Sequence, residues 1–236
     1  MKFKRHLRGL TKKKIKRLIL ILIILFFAGS LLTTVFYRFV RPPFTPLMII
    51  RLPQQLFSSD KVRLKKDWES LEDITPNMVL AVVAAEDQNF SHHNGFDYEA
   101  MKRAYQSNKK GRKIKGASTI SQQTAKNVFC WPGRSYFRKG VEAYFTFLIE
   151  KIWGKRRIME MYLNVVEFGN GIYGVEAASQ FYFHKHARNL SVQEAASLAA
   201  ILPNPRKWSP VKQGPYIKRR TAWIVRNMYN VERVRY

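Results

Sequence analysis

Leu18 to Tyr37 reads LILILIILFFAGSLLTTVFY, a run without a single charged residue. About twenty predominantly apolar residues are what a helix needs to cross a bilayer, so this segment commits the N-terminus to a membrane before any other element is considered. Nine Lys and Arg residues lie between positions 2 and 17, and only Arg38 and Arg41 follow before Pro42-Pro43. The positive-inside rule then makes residues 1-17 a basic cytoplasmic tail, 18-37 a transmembrane helix, and sends the rest of the chain to the far side of that membrane. A cleaved signal peptide is the alternative, since Ala28-Gly29-Ser30 resembles a small-residue cleavage site. The apolar run continues to Tyr37, which favours a retained anchor.

The 236 residues carry 42 Lys plus Arg against 16 Asp plus Glu, a formal charge of +26. Such an excess implies a polyanionic partner: nucleic acid, an anionic membrane surface or a phosphorylated substrate. Charge alone does not choose among them. For the tail, contact with the anionic leaflet explains both position and sign, and no nucleic acid is expected. Cys130 is the sole cysteine, so an intramolecular disulfide and a cysteine-based metal cluster are both excluded.

Residues 38-74 read as a linker and membrane-proximal segment. In it, RPPFTPLMIIRLPQQL is extended and proline-punctuated, and the apolar residues from Phe44 to Phe57 suit an interface. Residues 75-236 read as one all-α domain. Thr75-Pro76 opens a helix to about Glu86, a cap followed by proline at the first helical position. Asp97 caps a second to about Ser107, Ser118 a third to about Phe129, and Ser135 a long one to Trp153. Further helices are expected near 155 to 164, 173 to 183, 191 to 202, where Ser191 and Glu194 form a capping box, and 215 to 230. Strand alternation is scarce.

Three polar clusters stand out on these helices. Glu86 and Asp87 end an apolar helix at the end where the macrodipole disfavours negative charge. Pairing with a nearby cation would explain them, and so would a carboxyl raised toward neutrality by apolar neighbours such as Phe90, as acid-base catalysis requires. In KGASTISQQTAKN, Ser118, Gln122 and Lys126 recur at i, i+4 and i+8, with Thr119, Gln123 and Asn127 alongside. That stripe is either a solvated face or a binder of phosphate and sugar oxygens; it is no P-loop, lacking the glycine spacing. In RSYFRKGVEAYF, Arg134, Arg138 and Glu142 repeat the same spacing beside Lys139. An Arg138–Glu142 helix ion pair is the plain reading; two glutamates facing one cleft is the geometry of glycosidic chemistry.

In this order the residues resemble glycosyltransferase family 51, the peptidoglycan glycosyltransferases, and in particular its monofunctional membrane-anchored members. Glu86-Asp87-x-x-Phe90-x-x-His93-x-Gly95 is similar to the family's first motif, Gly116 to Asn127 to its second, and Arg138-Lys139-Gly140-Val141-Glu142 to its third. Lys155-x-x-Ile158-x-Glu160-x-Tyr162-Leu163-Asn164 is similar to the fourth and residues 189 to 205 to the fifth. Ser107-x-x-Lys110 and Ser209-x-x-Lys212 match a penicillin-binding nucleophile only formally, with no Lys-Thr-Gly partner.

The resemblance implies a lysozyme-like helical fold with a small membrane-associated lobe, polymerising lipid II into glycan strands. Glu86 is then the general base on the acceptor 4-hydroxyl, and undecaprenyl diphosphate leaves with inversion at the donor carbon. Ser118, Thr119, Gln122, Lys126, Arg134, Arg138 and Lys139 would bind substrate and diphosphate. Asp87, Phe90, His93, Gly95 and Asn127 would support them. Glu142 would orient the cations, assist the leaving group, or help hold a divalent cation, Mg or Mn, which the family permits and the sequence does not require. Membrane lipid, nascent glycan and cell-division or elongation proteins are the partners implied. Two rivals are a lytic enzyme cutting finished glycan with one glutamate, and a non-enzymatic adaptor binding anionic lipid or nucleic acid.

Overall fold

The computed structural model describes residues 11–57, 62–109, 116–133 and 135–231. The chain divides into two units, one up to Val40 and one from Arg41 onward.

Among the described residues the first unit is a single helix, α1 (Lys12–Phe39), roughly 42 Å long at 1.5 Å per residue. It is long and apolar enough to cross a membrane. Its serine and two threonines turn back on their own helix: Ser30 Oγ donates to Phe27 O, Thr33 Oγ1 to Gly29 O and Thr34 Oγ1 to Ser30 O, at 3.0, 2.8 and 2.7 Å. Satisfying polar groups internally is what a hydrocarbon environment demands.

The second unit is mainly helical, as the patterning predicts. α2 (Pro46–Leu56) corrects the expected extended linker. Thr45 caps it by accepting from Met48 N, and Pro46 sits at the first turn, where proline is favoured; the prolines taken as breaks include a helix start. α3 (Pro76–Glu86) begins as expected, with Thr75 accepting from Asn77 N. α4 (Tyr98–Lys109), α5 (Ile120–Phe129), α6 (Tyr136–Ile152), α7 (Gly154–Val165), α8 (Val175–Phe183), α9 (Val192–Ile201) and α10 (Pro215–Met228) follow. Ser135 accepts from Arg138 N, and the Ser191–Glu194 capping box is present; such caps contribute about 1 kcal/mol each. The cap of α5 is Thr119, one residue after the expected Ser118. Thr119 Oγ1 accepts from Gln122 N while Gln122 Oε1 accepts from Thr119 N, a closed capping box.

Two helical layers frame the interior. α3 packs against α9 and α10, and α5 against α6 and α7. Ala195, Ala196, Ala199 and Ala200 on α9 are fully buried, and side chains this small let neighbouring helices close up at crystal-like density. α7 is sealed from Ile158 to Val165. A small sheet, absent from the all-α expectation, runs in the order β1-β3-β2: β1 (Lys65–Lys66) pairs parallel with β3 (Ile172–Tyr173), and β2 (Glu167–Gly169) antiparallel. Gly171 holds the turn at φ +72°, where an added Cβ would lie 2.1 Å from Arg63 O. Both its backbone angle and that close approach require glycine.

Candidate active site

Glu86 closes α3, and its position answers the oddity of a carboxylate at the C-terminal end of an apolar helix. Its side chain is 14% exposed. Gln123 Nε2 donates to Oε2 at 2.9 Å, and Arg220 NH2 lies 3.4 Å from Oε1. Burial raises this carboxyl above the ordinary glutamate range; Gln123, Arg220 and Lys126 oppose that rise, and Asp87 adds to it. A buried acid poised upward, still hydrogen-bonded and reachable, is equipped to accept a proton.

Asp87 does different work. It accepts from the Ile120 N–H at 2.9 Å, tying the end of α3 to the start of α5. It also meets His93 Nε2 at 2.9 Å. Because Gly95 N donates to His93 Nδ1 at 3.1 Å, Nδ1 must be the acceptor and Nε2 the proton-bearing nitrogen. His93 therefore donates to Asp87 and braces the loop between them. Gly95 sits at φ +88°, where a Cβ would press to 2.8 Å on Thr146 Cγ2. Its carbonyl accepts from Thr119 Oγ1 at 2.7 Å. Phe90 is fully buried, with Lys155 Nζ 4.6 Å above its ring. That ammonium also reaches His93 O and Glu150 at 2.5 and 2.8 Å, so the loop after Glu86 is pinned on several sides.

The second glutamate is held by cations. Glu142, its side chain 3% exposed, takes Arg138 NH1 at 2.6 Å on Oε2 and Lys139 Nζ on Oε1. Thr146 Oγ1 donates to its carbonyl. With both carboxylate oxygens occupied, Glu142 orients Arg138 and Lys139. Lys126 lies in the fields of both glutamates; burial lowers its ammonium below the ordinary lysine range, Glu142 and Glu86 raise it, and Arg138 and Lys139 lower it. Among the described residues no group of three or more His, Cys, Asp or Glu side chains could hold a metal ion, and the donors around Glu142 suit an anion.

The expected site residues divide accordingly. Glu86, Lys126, Arg138, Lys139 and Glu142 are linked electrostatically. Asp87, Phe90, His93 and Gly95 brace the first of them. Thr119 and Gln122 are buried and spent on each other in the cap, while exposed Ser118 receives Lys139 Nζ at 3.5 Å. Asn127, nearly buried, lines a cavity with Lys126. Arg134 and residues 110–115 lie outside the described residues. Gln123, Arg220 and Tyr162, whose hydroxyl is 3.5 Å from Gln123 Oε1, were not assigned a part from the sequence. Gln123 stood beside the polar stripe and Tyr162 inside the fourth motif; for Arg220 the only signal was the basic doublet Arg219-Arg220 in a terminal helix.

Two cavities flank the Glu86–Gln123 contact. One, about 390 Å³, is lined by Glu86, Asp97, Arg103, Ser118, Thr119 and Trp223. The other, about 480 Å³, is lined by Gln123, Lys126 and Asn127 together with Arg51, Trp131 and Glu167. Volumes of this order accommodate one or two sugar rings.

Comparison with known proteins places the chain in a family. The family model described as Transglycosylase matches residues 54–229. A biosynthetic peptidoglycan transglycosylase of Caulobacter vibrioides is 50% identical over 214 residues, 91% of each chain. Proteins of the same name from Bacteroides thetaiotaomicron and Pseudomonas syringae pv. syringae are 48% and 49% identical; the alignments cover 94% and 86% of this chain and 89% and 86% of theirs. With a family model spanning most of the residues and half of the aligned residues identical to such a relative, the chain belongs to the transglycosylase family.

Proposed function

We propose that Glu86 is the general base, and Lys126, Arg138 and Lys139 the leaving-group cations, of a peptidoglycan glycosyltransferase that polymerises lipid II. Membership of the family and relatives named biosynthetic peptidoglycan transglycosylases along nearly the whole chain establish the enzyme class; the residue roles are our reading. Glu86 takes the proton of the acceptor's 4-hydroxyl as that oxygen bonds to C1 of the donor. The C1–O bond to the diphosphate breaks on the opposite face, so the configuration inverts. Undecaprenyl diphosphate departs with the bonding pair, and the proton on Glu86 passes to solvent. A diphosphate is already a good leaving group, so it needs fixed positive charge near its oxygens more than a proton donor. Glu142 supplies that indirectly, by holding Arg138 and Lys139 in place. Among the described residues both carboxylate oxygens of Glu142 are taken by cations, and no step here is routed through a divalent cation.

The observation that carries this reading is the pairing of one raised, accessible carboxyl with a separate cationic cluster. A lytic enzyme cutting a neutral glycosidic bond has no diphosphate for Lys126, Arg138 and Lys139 to meet. An adaptor has no use for a carboxyl buried at a cleft. The pH dependence of kcat tests the assignment. A base whose pKa is raised is active only once deprotonated, so the rate should climb with pH through a midpoint above the ordinary glutamate range. Because Lys126 is depressed, the fall on the alkaline side should begin below the ordinary lysine range. An acid limb that survives unchanged in Glu86→Gln would remove Glu86 from this role.

We further assign the N-terminus to the cytoplasm and the catalytic unit to the outer face of the cytoplasmic membrane, from the nine cations before the apolar run Leu18–Tyr37 and the two, Arg38 and Arg41, that follow it. The exposed Phe44, Ile49, Leu56 and Phe57 on and beside α2 are the side chains offered to the lipid interface. Protease added outside spheroplasts should digest the catalytic unit and leave a short membrane-bound stub; protection of that unit would reverse the orientation.

A further inference from the structure

Glu167 opens the strand β2 on the wall of the 480 Å³ cavity, and no step of the reaction above uses it. It is 7% exposed. Its nearest cationic partner is Arg51 of α2, whose Nε lies 3.8 Å from Oε2, too far for a hydrogen bond. Oε1 of Glu167 and Nε of Arg51 are both buried without a hydrogen-bond partner. A buried carboxylate oxygen left unsatisfied is a costly feature that a native fold retains for a reason. Burial raises the carboxyl above its usual range, while Arg51, Arg206, the Gly171 N–H and Lys126 act against that rise.

The surroundings define what would complete it. At Glu167 itself a cationic group would meet Arg51 and Arg206, and an anionic group, such as the diphosphate assigned to Lys126, would meet the carboxylate. A neutral group that donates a hydrogen bond meets neither objection. The lining also includes the apolar side chains of Trp131, Pro203 and Pro205, against which the C–H face of a pyranose can lie. Gln123 lines this cavity and holds Glu86, so the space adjoins the reacting centre, on the side of Lys126.

We propose that Glu167 is a substrate-binding residue, accepting a hydrogen bond from a hydroxyl or acetamido N–H of a saccharide ring that flanks the reacting pair, with Arg51 holding the carboxylate in place. This rests on the lipid II reading and adds a grip on the glycan to it. A group that holds a neighbouring ring contributes to binding before the transition state as much as in it, and therefore acts on KM more than on kcat. It also keeps a growing strand bound between additions.

The test uses the full-length protein reconstituted in liposomes with lipid II, comparing wild type, Glu167→Ala and Glu167→Gln, each with its thermal unfolding midpoint. For Glu167→Ala we expect KM to rise about tenfold, the scale of one lost charge-assisted hydrogen bond, with kcat within about threefold of wild type and visibly shorter strands. Glu167→Gln keeps an acceptor oxygen and should fall between the two. If the alanine variant does not fold, the glutamine variant decides, with KM raised about threefold and shortened strands as the expected result. Wild-type KM and strand length in a folded variant, or a loss of kcat at unchanged KM, would overturn the role of Glu167 alone. A wild-type protein that leaves lipid II untouched would instead overturn the function on which it rests.

Discussion

Glu86→Gln should leave a folded, membrane-bound protein that polymerises lipid II at least about 10²-fold more slowly than wild type, the usual scale for loss of a general base. The substitution preserves length and shape. Gln123 can still donate to the amide oxygen of residue 86, so the 2.9 Å contact between α3 and α5 need not be lost. What disappears is the ability to take a proton. It also removes a buried charge from beside Arg220, 3.4 Å away, and some loss of stability is expected where an ion pair loses one partner. Circular dichroism and the unfolding midpoint separate that effect from the chemical one. Near-normal turnover in a folded variant would mean that the base is another group.

Lys126→Ala carries the second large expectation. Lys126 lies on α5 in the fields of Glu142, Arg138, Lys139 and Glu86, where a cation is placed to meet charge developing on the departing diphosphate. Removing such a group commonly lowers the rate by about 10² to 10³. The loss should appear in kcat as well as kcat/KM, because the charge it meets is greatest in the transition state. It should also abolish the early alkaline fall of the pH profile, since the depressed ammonium responsible for that limb is gone. A variant that is impaired only at limiting lipid II, with normal kcat, would reduce Lys126 to a binding residue.

What was readable in the sequence, and what was not, follows the range of the interactions involved. Helix starts at Thr75-Pro76, Ser135 and Ser191 were legible because a cap is made within three residues of itself. The start of α5 slipped by one because Ser118 and Thr119 are adjacent hydroxyls, and only the reciprocal bond with Gln122 distinguishes them. α2 was hidden by its prolines, one of which sits at the first turn where it does no harm. The sheet was hidden by strands of two or three residues, too short to display alternation.

The site shows the same division. Glu86 and the Arg138–Lys139–Glu142 cluster stood out in the sequence, the first by its unfavourable place at a helix end and the second by helical spacing, but their roles came only from the family resemblance. Arg220 reaches Glu86 across 134 residues of sequence, and the Asn164 side chain bonds both backbone groups of Glu69 across 95. Contacts made by the packing of distant helices leave no local pattern. Glu167 belongs with these. Nothing around it in the sequence distinguishes an orphaned carboxylate from an ordinary one in a strand.

One measurement bears on the whole reading: the purified full-length protein in liposomes, given lipid II in one reaction and preformed uncrosslinked glycan in another, with released undecaprenyl diphosphate and glycan length followed in both. The arrangement of a raised Glu86 opposite a cationic cluster predicts diphosphate release and lengthening strands from lipid II, and unchanged length of the preformed glycan. Shortening of that glycan with lipid II left intact would contradict it and establish the lytic activity instead.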